Sequence, residues 1–217
     1  MNPQEDITRI RVLYTKEESL RFTGHLDMQR LWERLLRRSN LPVRYSQGFH
    51  PRARLNLASA LPLGFVSDAE LLDFWMNEPL PINEINASLS KNAPPGLEIK
   101  ETYQVDLRED ALQVQMSASE FRVNFFDPQD PEELSEKVDS LLAQDSIIRK
   151  RRKKVYDLRP LLIEIDVIDP HNGEPGFQMK LKAEEGATGR PDEVLDEMGF
   201  KNTEYLVCRT KLILSDT

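Results

Sequence analysis

One cysteine in 217 residues, Cys208, excludes an internal disulfide and any metal or iron–sulfur centre held by several thiolates of this chain. Three histidines (His25, His50 and His171) leave little for a His-rich site, so no metal and no cofactor is expected. No apolar run approaches the ~18 residues of a membrane span. The opening MNPQEDITRIR has no apolar h-region, which predicts no secretory signal. With the lone cysteine, these features predict a cytoplasmic protein with no membrane partner. A glycine-rich phosphate loop, a nucleophile elbow and an HExxH metal helix are all missing. Lysine is missing too, from one particular stretch.

That stretch, Arg21 to Arg54, holds eight arginines (21, 30, 34, 37, 38, 44, 52 and 54) against two acids, Asp27 and Glu33, for a net +6. A second block, Arg149-Lys150-Arg151-Arg152-Lys153-Lys154, carries another +6. The whole chain carries −8, so removing these +12 leaves −20 on the rest. Charge sorted in this way creates local fields that the net value hides, and a basic face on an acidic body points to an anionic partner. Guanidinium forks grip phosphates or carboxylates in bidentate fashion and stack on bases, where lysine offers a hydrated point charge.

Hydrophobic periodicity predicts an α+β protein made of two tandem ferredoxin-like (βαββαβ) domains with antiparallel sheets. The first, residues 1–106, reads as a strand over Ile7 to Tyr14 and a helix over Leu26 to Ser39. Short strands at Val43–Tyr45 and Arg54–Ala58 flank a turn at Gly48. A buried strand over Ala69–Met76, a helix over Ile82–Lys91 and a strand over Leu97–Val105 complete it. Residues 107–118 read as a linker. The second domain, 119–217, repeats the order: strand Glu120–Phe126, a helix opened by Asp130-Pro131, a strand running into the basic block, a hairpin turning over 169–176, a helix from Pro191 and a strand over Tyr205–Leu214.

In the first helix Met28, Leu31, Trp32, Leu35 and Leu36 share an apolar face, opposite Arg30, Arg34, Arg37 and Arg38. Those arginines are either the solvated side of an amphipathic helix or an anion-binding row; only Glu33 to Arg37 has the spacing for an internal pair. The segment Arg44 to Arg54 interleaves Tyr45, Phe49 and His50 with Arg44, Arg52 and Arg54 around Gly48. It reads as a loop that stacks unpaired bases while arginines hold phosphates, or as a connector anchored by its rings. Together the helix and this loop are expected to form one exposed anion-binding surface. A strand through Arg149, Lys150, Arg151, Arg152, Lys153 and Lys154 would send cations to both faces, so the block must be an exposed edge, a projecting ribbon or a loop. It is either a charge-protected edge or a phosphate-binding arm. His25, two residues before Asp27, is a weak candidate for general-base chemistry and otherwise a helix-entry residue; it has no visible metal-binding companion.

Arg21-Phe22-Thr23-Gly24-His25-Leu26-Asp27, then Leu31-x-Glu33-Arg34-x-x-Arg37-Arg38, Tyr45-Ser46-Gln47-Gly48-Phe49-His50-Pro51-Arg52 and Ala60-Leu61-Pro62-Leu63-Gly64 resemble the radical SAM-linked protein family. Asp157-Leu158-Arg159-Pro160 and Arg190-Pro191-Asp192-Glu193-Val194-Leu195 look like its later signatures. Such proteins occur fused to, or encoded beside, radical SAM proteins, often near ribonuclease and ribosomal-protein genes. The resemblance implies a radical SAM partner and an RNA setting, and supplies no catalytic residue. A more distant likeness, to CRISPR repeat-processing endoribonucleases, rests on architecture and on Gly-His-Leu ahead of a basic helix, and is an analogy.

The expected function is that of a non-catalytic RNA-binding accessory that presents a tRNA or rRNA to a separate radical SAM enzyme, without DNA specificity. One alternative is an adaptor docking on that partner without RNA contact. Another is a metal-independent endoribonuclease using His25.

Overall fold

The computed structural model describes residues 7–151, 153–168, 175–184 and 186–215, and its first strand already sorts the sequence into two environments. In β1 (Thr8–Lys16) the even residues Ile10, Val12 and Tyr14 join an apolar core, while Arg9 and Arg11 point to the other face of the sheet and are buried there as well. The helix α1 (His25–Arg38) supplies the lid of that core. Its apolar residues at i, i+4, i+7 and i+8, namely Met28, Trp32, Leu35 and Leu36, are all buried. Trp32 meets Tyr14 edge-on, with ring centroids 4.8 Å apart. Asp27 in the first turn and Arg37 and Arg38 in the last complement the helix dipole. Asn40, at φ 51°, takes the left-handed position that ends the helix, two residues before Pro42.

The chain divides into two compact units, residues 1–115 and 116–217. In the first, α1 is followed by β2 (Leu55–Leu57), β3 (Val66–Met76), α2 (Ile82–Asn92), β4 (Ile99–Val105) and the single-turn α3 (Leu112–Gln115). The strands lie in the order β4-β1-β3-β2, all antiparallel. Leu72, Phe74 and Met76 of β3 and Ile85 and Leu89 of α2 close the core over the helix-bearing face.

The opposite face of β1 and β3 holds charge. Asp73, wholly buried, accepts from Arg9 Nε (2.8 Å) and from Arg11 Nε (2.8 Å) and Nη2 (3.0 Å). Arg9 also donates to the carbonyls of Glu109 (2.6 Å) and Asp110 (2.7 Å), and the Glu109 carboxylate lies 3.3 Å from Arg11. Gln113 donates to Leu57 O (2.6 Å). Residues 107–118, read from the sequence as a linker, therefore hold α3 and the start of the next strand, and 109–113 are bonded to the back of this sheet. The sequence pattern missed this because a strap held by backbone carbonyls needs no apolar periodicity.

The second unit runs β5 (Met116–Phe125), α4 (Pro131–Leu142), β6 (Ile148–Arg151), β7 (Lys154–Asp157), β8 (Leu162–Ile168), β9 (Gly176–Glu184), β10 (Ala187–Thr188), α5 (Pro191–Glu197) and β11 (Tyr205–Leu214). Asp130 caps α4 by accepting from Glu132 N (2.9 Å), with Pro131 at the first helical position. The principal strands again pair antiparallel, in the order β8-β9-β5-β11. In each unit the last of these four strands lies beside the first, then the third, then the second. Gly176 sits where β9 crosses both neighbours, and a Cβ there would run into the Val123 carbonyl. Phe125, Phe177 and Phe200 pack against one another in this unit's core. The turn expected over 169–176 lies, but for its last two residues, outside the described residues, and so does His171.

The protein is α+β with five α-helices among the described residues, and none of them is long and apolar enough to cross a membrane. Asp73→Asn leaves two buried guanidiniums without their carboxylate, a change that costs about 3–5 kcal/mol where such a pair is broken. Urea unfolding of the full chain should show a loss of that size; a loss below about 1 kcal/mol would show that water or Glu109 takes over the charge.

Candidate nucleic-acid interface

Between α1 and β2 the chain leaves the sheet as a narrow ribbon. Val43 bridges Met76 and Tyr45 bridges Ala53. Arg54 N donates to Arg44 O and Ser46 N to Arg52 O, both at 2.8 Å. Period-two alternation places Arg44 and Arg54 on one side of this ribbon and Tyr45 and Ala53 on the other. Trp75 of β3 fixes which side is which. It shares the face of Arg9 and Asp73, and the Arg54 guanidinium lies 4.3 Å from its ring centroid, with that of Arg9 at 5.2 Å. Partial burial first, and then the like charges of Arg44 and Arg9, lower the Arg54 pKa. Arg9 and Arg54 thus share one indole while Arg44 adds its like charge to Arg54, and an arriving anion would relieve that repulsion.

The ribbon's tip, residues 46–52, is exposed throughout. Gly48 takes φ 136°, open to glycine and strained for other residues. Phe49 is 102% exposed, so it does not anchor the loop to the core. Tyr45 is 37% exposed, and His50 and Arg52 are exposed as well.

The α1 arginines do not join this group. Arg30, Arg34, Arg37 and Arg38 are exposed on the side of α1 turned away from the core, whereas Arg44 and Arg54 belong to the face of the sheet that α1 does not cover. The single surface expected from the sequence is two surfaces, because the sheet between them reverses the direction of alternate side chains. Arg30 pairs with Asp27 (3.2 Å), Arg34 Nε reaches Arg30 O (3.3 Å), and Arg38 donates to Asn92 O (3.0 Å).

In the second unit the basic block forms the two-stranded ribbon of β6 and β7, with Lys150 opposite Val155 and Arg151 opposite Lys154. Several of its cations are already engaged. Arg149 bonds the Glu193 carbonyl and lies 3.6 Å from the Glu197 carboxylate. Arg151 lies 4.0 Å from Glu193 and stacks on Tyr156 at 5.3 Å, and Lys154 donates to Gly186 O (3.1 Å). Lys150 and Lys153 are exposed, and Arg152 lies outside the described residues. The Tyr156 hydroxyl bonds the Glu193 carboxylate. Burial, followed by that bond and the carboxylate's charge, pushes its pKa from 10.0 up to about 12.

His25 stands in the first turn of α1 and lines a small cleft with Tyr14, Lys16, Thr23, Ser59 and Glu70 and with the apolar Met28, Leu57 and Leu61. Tyr14, Lys16 and Glu70 are buried, and Lys16 Nζ donates to the carbonyls of Arg21 and Phe65, both at 3.2 Å. These neighbours went unnoticed in the sequence because they come from β1 and β3, far from His25 along the chain. Trp75 escaped notice for a related reason: a strand tryptophan reads as core until its cationic neighbours are placed. Among the described residues no group of three or more His, Cys, Asp or Glu is placed to hold a metal ion.

Residues 9–191 match a family described as "Uncharacterized protein conserved in bacteria (DUF2344)". No curated protein matches the chain. Among solved structures, a "Crystal Structure of a Cbf5-Nop10-Gar1 Complex" is similar with a TM-score of 0.50 at 8% identity, over 96% of this chain and 50% of that one. A "Structure of H/ACA RNP bound to a substrate RNA containing 2'-deoxyuridine" gives a TM-score of 0.48 at 8% identity, over 95% and 49%. The chain thus spans about half the length of the solved chains it matches, and at such identity the likeness concerns the fold alone.

The Tyr156–Glu193 bond has a pH signature. A raised phenol pKa contributes stability that is fully present below pH 10.0 and is lost as the pH rises toward about 12. The difference in absorbance at 295 nm between the wild type and Tyr156→Phe should therefore show one ionisation near 12. An ionisation near 10 would mean that neither the burial of Tyr156 nor its bond to Glu193 holds.

Proposed function

We propose that this chain, which belongs to the DUF2344 family of bacterial proteins, is a non-catalytic RNA-binding accessory that receives single-stranded or looped RNA on the 44–54 ribbon. The observation that carries this reading is the ribbon's tip. Phe49 stands fully exposed beside a glycine hinge, on a ribbon that carries Arg44, Arg52 and Arg54, and one of those cations, Arg54, already shares the Trp75 ring with Arg9. An exposed ring offers a stacking face to any base, and the arginines around it meet the phosphates on either side. The exposed cations of the β6–β7 ribbon, Lys150 and Lys153, add phosphate contacts in the second unit.

We read each unit as a ferredoxin-like domain, supported by the shared strand order, and the protein as a cytoplasmic one that presents a tRNA or rRNA to a separate radical SAM enzyme. The enzyme partner rests on the sequence resemblance. A second reading, an endoribonuclease acting through His25, is favoured by one observation: the cleft that brings His25 beside Lys16, Tyr14 and Glu70. It requires RNA cleavage in EDTA that His25→Ala abolishes.

The binding reading is tested by fluorescence anisotropy with a labelled single-stranded RNA across a salt series. Phe49→Ala should weaken binding by about 1–3 kcal/mol, the contribution of one stacked base. Arg52→Ala should lower the salt slope by about 0.7, the value for one phosphate contact on a single strand. Affinity unchanged in both variants would remove the ribbon from RNA binding.

A further inference from the structure

Phe22, Leu26 and Leu63 are 77%, 66% and 63% exposed, and they gather at the N-terminal end of α1. The Leu63 side chain lies over Gly24, where a Cβ would sit 3.8 Å from its Cδ2, and the Phe22 ring lies 4.0 Å from a Cβ placed on Gly64. The two loops that carry them are locked together. Arg21 Nε donates to Gly64 O (2.8 Å), Gly64 N to Arg21 O (3.1 Å), and the buried Lys16 ammonium bonds the carbonyls of both Arg21 and Phe65. These bonds hold the loops of Phe22 and Leu63 together beside Leu26 of α1, and all three large apolar side chains stay in water, where folding gains little from them. From Leu26 the outward side of α1 continues through Arg30, Arg34 and Arg37, a row about 16 Å long at 1.5 Å per residue.

We propose that this patch and row form a docking surface for an acidic, amphipathic segment of a protein partner. The segment's apolar anchor would enter between Phe22, Leu26 and Leu63, and its carboxylates would meet the arginines. Charge complementarity sets the sign: against the three arginines of this row, α1 itself carries only two acids, Asp27, already paired with Arg30, and Glu33. The chemistry of the patch sets the class of partner. Two of its three members are leucines, which have no π face for a base, so RNA would satisfy the arginines and leave the leucines wet. A protein segment satisfies both, in the pairing of apolar centre and arginine rim found at protein interfaces. The surface is independent of the RNA reading, since the ribbon's arginines lie on the face of the sheet that α1 does not cover.

The test is selection of a displayed random peptide library, about 16 residues long so that a helix spans the row, on the full chain. Enriched peptides should share a large apolar residue followed by Asp or Glu at helical spacing. A synthetic copy of the leading peptide should bind at least about tenfold more weakly to Leu26→Asp, as expected for an interface anchor. It should also weaken on the double variant Arg34→Glu/Arg37→Glu and recover there when its own acids are changed to lysine. Circular dichroism of the variants checks that the fold is intact. Three results would overturn the proposal: enriched peptides indifferent to both variants, a single-stranded RNA that loses affinity for Leu26→Asp, or self-association of the wild type that Leu26→Asp abolishes. The last would make a second copy of this chain the occupant.

Discussion

A single carboxylate, that of Asp73, ties the interior of the first unit to the surface that the proposed function uses. It receives Arg9 and Arg11 behind the sheet, in a place that no apolar pattern would reserve for charge. Arg9 in turn holds the carbonyls of Glu109 and Asp110 and approaches the Trp75 ring, whose other guanidinium partner is Arg54 of the ribbon. A buried ion cluster is poor evidence of stability by itself, since well-packed apolar groups often serve as well. Its consequence here is positional. Asp73 fixes Arg9, Arg9 and Arg54 bracket the indole, and the indole sets the side of the ribbon on which Arg54 and Arg44 emerge.

Sequence pattern carried far where one physical rule acts alone. The 3.6-residue period of Met28, Trp32, Leu35 and Leu36 located α1, and Asp130-Pro131 located the start of α4, each within a residue or two of its place in the structure. The basic block could not be buried on either face and forms a separate two-stranded ribbon, one of the forms that this constraint leaves open. Pattern failed where two segments distant in sequence share one interaction. Residues 109–113 carry no periodicity, yet two backbone carbonyls and one glutamine amide bind them to β1 and β2 of the same unit. Arg44 and Arg54 look like neighbours of the helix arginines until the pairing of 43–55 with β3 assigns them to the other face.

The division between those faces gives the arginine-rich stretch two kinds of surface instead of one. On the ribbon the cations alternate with the exposed rings of Tyr45 and Phe49, and Arg54 lies on the buried Trp75 of β3. On α1 they continue a patch of aliphatic and aromatic side chains, two of whose loops the buried Lys16 helps to hold together. Rings among guanidiniums suit bases and phosphates, and leucines beside guanidiniums suit an acidic protein segment. Under the proposed function both kinds of contact would be used at once, and two separate faces would keep them from competing for the same cations. The second unit's basic ribbon is more restrained, because Glu193 and Glu197 already engage Arg149 and Arg151.

The claim that the ribbon, and not the helix, receives RNA is tested most directly by ultraviolet crosslinking of a 4-thiouridine-labelled single-stranded RNA to the full chain, with the crosslinked peptides identified by mass spectrometry. Adducts are expected within residues 44–54, centred on Phe49 and on Tyr45 and His50 of the same ribbon. Adducts concentrated on α1 or at Phe22, with none in the ribbon, would contradict it.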